Sequence, residues 1–160
     1  MTKPTYMNYY IRSSKRNDCY ELSKTLRQQD AQEVFASGGR NPAQALIRAY
    51  LTSHLHCYTI ILDNEVVGMF GISKLREGVG SPWLLGSDKL TDYKFEFHKH
   101  AKEHIDTFMD EYNVLFNYVD KRNTQAIKWI KSLGFTFTKL VDNFGYEQKP
   151  FYEFVKANNV

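Results

Sequence analysis

The chain has 160 residues, 42% hydrophobic and 24% charged. That balance suits one packed domain over residues 1–160 and argues against a disordered or low-complexity protein. The net charge of +3 is spread without a dense run and does not by itself call for nucleic acid. No apolar run approaches a membrane span.

The opening MTKPTYMNYY lacks the shape of a signal peptide. Cys19 and Cys57 lack metal-type spacing and read as free thiols of a reducing compartment. A soluble protein made in a cytosol is expected.

In chain order, residues 6–12 read as a first strand, rich in Tyr and Ile. Asn17-Asp18 can cap a helix whose apolar positions are Cys19, Leu22 and Leu26. A second helical piece over 30–36 ends at Ser37-Gly38-Gly39. Asn41-Pro42 restarts a helix, with Asn as cap and Pro in the first turn. Residues 57–62 and 65–73 form a hairpin through Asp63-Asn64, and Gly68 and Gly71 in its second arm permit a bulge or the close approach of a ligand backbone. A loop over 76–81 leads to a short strand over 83–85.

The stripe Phe97, Ala101, Ile105, Phe108 and Tyr112 predicts a long helix over 91–112 that Asp92 could cap. A strand over 114–119, a helix over 124–133 and strands over 136–140 and 151–155 complete the chain. Asn143-Phe144-Gly145 stands at the tip of the last hairpin. This order predicts an α/β (α+β) fold with a mixed central sheet flanked by helices.

Residues 117–135, NYVDKRNTQAIKWIKSLGF, run from strand through Asn123 into a helix with an early Ala126, closed by Gly134-Phe135. The pattern resembles the second half of the GNAT acyl-CoA N-acyltransferase fold, and the element order agrees with that family over nearly the whole chain. The resemblance implies a GNAT-like, mostly antiparallel sheet and acetyl-CoA or CoA as cofactor. It places the cofactor against Leu84, Leu85, Gly86, Ser87, Lys89, Lys94, Asn123 and Ala126, with Asn123 also near the chemistry.

Two family features are missing. Residues 87–97, SDKLTDYKFEF, contain no glycine where the family cradles pyrophosphate on free backbone N–H groups. Ile130 stands where the family often has a tyrosine that protonates the leaving thiolate. Tyr93, Tyr118 and Tyr146 are other phenols, and spacing selects none of them.

A narrower resemblance rests on WLLGSDKL before the long helix, on FNYVDKRNTQAIKWIKSLGF, and on RQQDAQEVFASGG upstream. These are similar to the internal virion protein A family of T7-like bacteriophages, with Asp30 and Glu33 at matching acidic positions. It implies a role in virion assembly or infection, with phage or host proteins as partners. The location implied is the host cytoplasm, with packaging in the virion as a further possibility. On these grounds acyl transfer is expected to be lost or altered. An active N-acetyltransferase and a binder of a host protein are the alternatives.

Other constellations are less specific. Asp30 and Glu33 are three apart, so on a helix they share a face and could act as a general base pair; a solvated face is the simpler reading. Glu77 and Asp88 are further base candidates. His100 and His104 share a helix face but have no third zinc ligand nearby in sequence, so no metal site is expected. Lys121, Arg122, Lys128 and Lys131 gather around the last helix and read as a solvated face.

Overall fold

A computed structural model describes residues 8–53 and 55–158, with the side chains of 94 and 95 also outside the described set. The elements are β1 (Tyr9–Ser13), α1 (Arg16–Ser23), α2 (Gln28–Gly38), α3 (Pro42–Thr52), β2 (Cys57–Leu62), β3 (Glu65–Arg76) and β4 (Val79–Gly86). A 3-10 turn (Asp88–Tyr93) leads into α4 (Lys94–Glu111), followed by β5 (Val114–Asp120), α5 (Thr124–Ser132), β6 (Thr136–Phe144) and β7 (Lys149–Ala157). The strands make one seven-stranded sheet in the order β1-β2-β3-β4-β5-β7-β6. Every neighbouring pair is antiparallel except β4 with β5. The mixed sheet predicted from the element order is therefore present, and it is mostly antiparallel as the resemblance implies.

Local chemistry explains most of the elements. Asn41 caps α3 by accepting the Gln44 N–H at 2.9 Å, and Gly39 closes α2 at φ 69°, a conformation that costs glycine little. Asp63 and Asn64 take φ 45° and 66°, as a two-residue hairpin turn of matching twist requires. The predicted loop over 76–81 is much shorter, because β3 runs to Arg76 and β4 begins at Val79. The turn residue Gly78 accepts N–H groups from Asn113 and Val114, which seats the start of β5 beside β4.

Two helix-start expectations change. Asp18 does not precede α1 but sits within its first turn, where it accepts the Lys15 N–H at 2.8 Å. Asp92 is not the cap of α4, because it lies inside the 3-10 turn and Tyr93 precedes the helix. Burial of Leu90 and Tyr93 in that turn pulls the backbone tighter than an α-helix start.

Two apolar layers sandwich the sheet. On one face, α4 buries Phe97, Ala101, Ile105 and Phe108 against Phe70, Ile72, Leu115 and Val119. On the other, α1 and α3 bury Cys19, Leu22 and Leu46 against Met69 and Leu85. Gly71 is needed for close approach within the chain: a Cβ there would lie 2.5 Å from the His56 carbonyl oxygen.

Candidate functional site

The parallel strands β4 and β5 pair only at Val79–Val114 and Gly80–Leu115. Beyond those pairs they separate and leave a slot in the sheet, bridged by Asn117 Nδ2 donating to the Pro82 carbonyl at 2.8 Å. A cavity of about 420 Å³ occupies the slot and extends to both faces of the sheet. The α2 and α3 side contributes Glu33, Ser37, Arg40 and Arg48, and the α4 and α5 side contributes Phe97, His104, Trp129 and Ile130. A smaller cavity of about 240 Å³ lies beside the first turn of α5, between Leu84, Leu90, Thr91 and Trp129.

The backbone groups that face the slot follow from the β3–β4 ladder. Ser87 N–H donates to Val67 O at 2.9 Å, so residues 81, 83, 85 and 87 bond to β3. Residues 82, 84 and 86 therefore face the slot, since bonding direction alternates along a strand. Proline at 82 has no N–H, and here it costs no ladder bond. The Gly86 N–H donates to Asp30 Oδ2 at 3.0 Å, and its carbonyl accepts the Arg27 N–H at 2.9 Å. Leu84 is left to present an amide to the slot.

A buried polar network closes the wide end. Arg27 Nη2 donates to Asp30 Oδ1 and to Asn123 Oδ1, both at 3.0 Å. Asn123 Nδ2 donates to Asp30 Oδ1 at 3.1 Å, and Arg27 Nη1 donates to Gln125 Oε1 at 2.7 Å. The three central side chains are 8%, 6% and 1% exposed for Arg27, Asp30 and Asn123, and that burial requires the pairing seen.

Glu33 lies one helical turn beyond Asp30, half-buried, with Oε1 accepting the Asp120 N–H at 2.8 Å. Burial and then the neighbouring Asp30 push its carboxyl from 4.5 up to about 8. Tyr118 also lines the cavity and donates to Glu153 Oε2 at 3.1 Å. Burial and then Glu153 raise its phenol above the ordinary range.

Asp30 and Glu33 thus come together with the distant Asn123, Leu84 and Ala126 border both cavities, and Gly86 borders the smaller one. Others point elsewhere. Leu85 packs under α1 and α3 and also borders the cavity. Ser87 is buried with a hydroxyl that has no hydrogen-bond partner. Lys89 pairs with Glu65 at the surface. The Lys94 side chain and His54 lie outside the described residues.

Glu77 pairs with Lys74 in solvent, Asp88 opens the 3-10 turn, and Ile130 packs against the core. Tyr93 stacks on Tyr9, and Tyr146 packs against Phe35. No group of three metal-binding side chains occurs among the described residues.

Arg27, Arg40, Arg48 and Pro82 were not singled out from the sequence. Arg27 three residues before Asp30 was a visible pairing signal. A proline inside a strand pattern marks a position outside the ladder.

An acyl-CoA, the group this fold implies, does not fit these residues well. Of the three slot-facing positions on β4, one lacks an N–H and one has it taken by Asp30. The approach to α4 is a 3-10 turn that buries Leu90 and Tyr93 rather than an open glycine loop.

Solved structures with this architecture are GNAT acetyltransferases. Ard1 from Thermoplasma volcanium superposes with a TM-score of 0.69 at 16% identity, covering 95% of this chain and 99% of that one. A GNAT-family acetyltransferase from Bacillus anthracis gives 0.70 at 11% identity, covering 96% of each chain. The ribosomal-protein-S5-alanine acetyltransferase from Vibrio fischeri gives 0.65 at 15% identity, covering 99% and 98%. The chain has a GNAT-like fold. Likeness at this identity speaks to architecture alone.

In sequence, residues 78–141 match the family model described as bacteriophage T7, probable scaffold protein Gp13. No curated protein sequence matches the chain. The matched segment contains β4, α4, β5 and α5, the elements that frame the slot. No helix among the described residues is long and apolar enough to cross a membrane.

Proposed function

We propose that the chain is a bacteriophage protein of virion assembly or infection that uses a GNAT-like fold as a structural scaffold, with acyl transfer lost. The observation that carries this reading is the Asp30–Gly86 hydrogen bond at the end of β4. Together with Pro82 it removes two of three slot-facing donors that would otherwise hold an extended ligand. The match of residues 78–141 to a probable scaffold protein model supports the assembly role. Its partners in this reading are virion or host proteins, met in the host cytoplasm or in the particle.

Isothermal titration of the full chain with acetyl-CoA and with free CoA tests the loss of acyl transfer. The reading expects no binding up to millimolar ligand, and micromolar binding of either would overturn it. Cross-linking in infected cells followed by mass spectrometry tests the assembly role; virion proteins are the expected captures.

One observation favours an active N-acetyltransferase instead. Glu33 lies in the cavity with a carboxyl near neutrality, which suits a base that accepts a proton from an amine. The same titration separates the two readings.

A further inference from the structure

The part of the cavity on the α2 and α3 side carries a separate arrangement that does not depend on coenzyme. Arg40 follows the glycine end of α2, and Arg48 lies on α3. Both line the cavity. Among the described residues, neither guanidinium has a hydrogen-bond or ion-pair partner. An arginine has five donors arranged to grip a carboxylate or phosphate, and two unpaired ones on a single cavity leave that capacity open.

Glu33 borders the same cavity as an acceptor. The groups that face it are Asp30 on its own helix and Asp120 on β5, with Arg122 beyond Asp120. Arg122 is already committed, since Nη2 donates to Asp120 Oδ2 at 2.7 Å. Trp83 and Tyr118 line the same cavity. The hairpin tip fixes one side, because Tyr146 N–H donates to Ser37 O and Glu147 N–H to Ala36 O. A concave, largely apolar chamber with a few convergent polar groups is the usual form of a small-molecule site.

We propose that this chamber binds a small amino-anion, a molecule with a carboxylate or phosphate for Arg40 and Arg48 and a primary ammonium for Glu33. On binding, the Glu33 carboxyl gives its proton to solvent and the resulting carboxylate pairs with the ligand ammonium. The ligand keeps its own protons, so each binding event below the carboxyl's titration point releases up to one proton to buffer. No acyl donor takes part, and failure of coenzyme binding leaves the proposal intact.

The test is calorimetric titration of the full chain near pH 7, repeated in two buffers of different ionisation enthalpy. The probes are β-alanine, phosphoethanolamine, n-propylamine and propionate. β-Alanine or phosphoethanolamine is expected to bind saturably, and whichever binds more tightly identifies the anion. The two single-function probes are expected to bind at least about tenfold more weakly.

The double variant R40A/R48A should reduce the amino-anion to the affinity of n-propylamine. E33Q should preserve propionate binding and abolish the buffer-dependent proton release. Both variants are checked for folding by circular dichroism and can be compared with each other if one is destabilised. Equal affinity for all four probes, no saturable binding of either amino-anion, or binding without proton release would overturn the proposal.

Discussion

Asp30 Oδ2 accepts the Gly86 N–H at 3.0 Å, so a helix carboxylate takes up the last slot-facing donor of β4. Its other oxygen accepts from Arg27 and Asn123, and one side chain thereby ties α2, β4 and the start of α5 together. Asp30→Ala would leave the buried Arg27 guanidinium without its carboxylate. We expect a loss of about 3–5 kcal/mol, read as a lower urea midpoint, with Asp30→Asn losing less because the amide keeps an acceptor.

Stability should fall as pH rises through the Glu33 window. Its carboxyl is raised from 4.5 to about 8, so between these values the folded chain holds a proton that the unfolded chain has released. Folding is then favoured by acid, and the contribution is lost as pH rises through the folded value, by at most about 1.4 kcal/mol per pH unit. Glu33→Gln cannot ionise and should flatten this part of the profile. Urea midpoints of both proteins from pH 5 to pH 9, about the span of the window, should diverge with rising pH; parallel curves would refute the assignment.

Pro82→Ala restores an N–H that points into the slot without changing the β3–β4 ladder. Because proline restricts the unfolded chain, a modest loss of about 0.4–1 kcal/mol is expected. A loss several times larger in urea denaturation would mean that Pro82 carries a packing role beyond its missing donor.

Ile130→Tyr places a phenol where GNAT enzymes often carry the general acid. With Gly86 N–H still held by Asp30, no thiol release from acetyl-CoA is expected above background in a colorimetric thiol assay. Turnover by this variant would show that the slot admits acetyl-CoA and would overturn the proposed loss of acyl transfer.

Gly71→Ala should be costly, because the new Cβ would meet the His56 carbonyl at 2.5 Å within paired strands. An overpacking loss of about 1–3 kcal/mol is expected by urea denaturation. The sequence marked this glycine for a bulge or the approach of a ligand's backbone, whereas the approaching group is the chain's own His56 carbonyl.

Elements with a strong local pattern were legible before the fold was seen. The 57–62 and 65–73 hairpin announced itself through runs of β-branched and aromatic residues joined by Asp63-Asn64, and the α3 start through Asn41-Pro42. The start of α4 was less legible. Asp92 is a good capping residue by type, yet burial of Leu90 and Tyr93 outweighed that preference and moved the helix start past it. The spacing of Asp30 and Glu33 put them on one helix face, but nothing local indicated that Asn123 would meet them.

The sequence alone determined the kinds and order of the elements, and through them a mixed sheet flanked by helices, because periodicity, caps and turn residues act within a few positions. The state of the slot was decided only by tertiary structure. Arg27 meets Asn123 across 96 positions and Asp30 meets it across 93, and Gly86 reaches Asp30 across 56. Those hydrogen bonds exist because folding removes water from polar groups that must then satisfy one another, and no local pattern records which partner each will find.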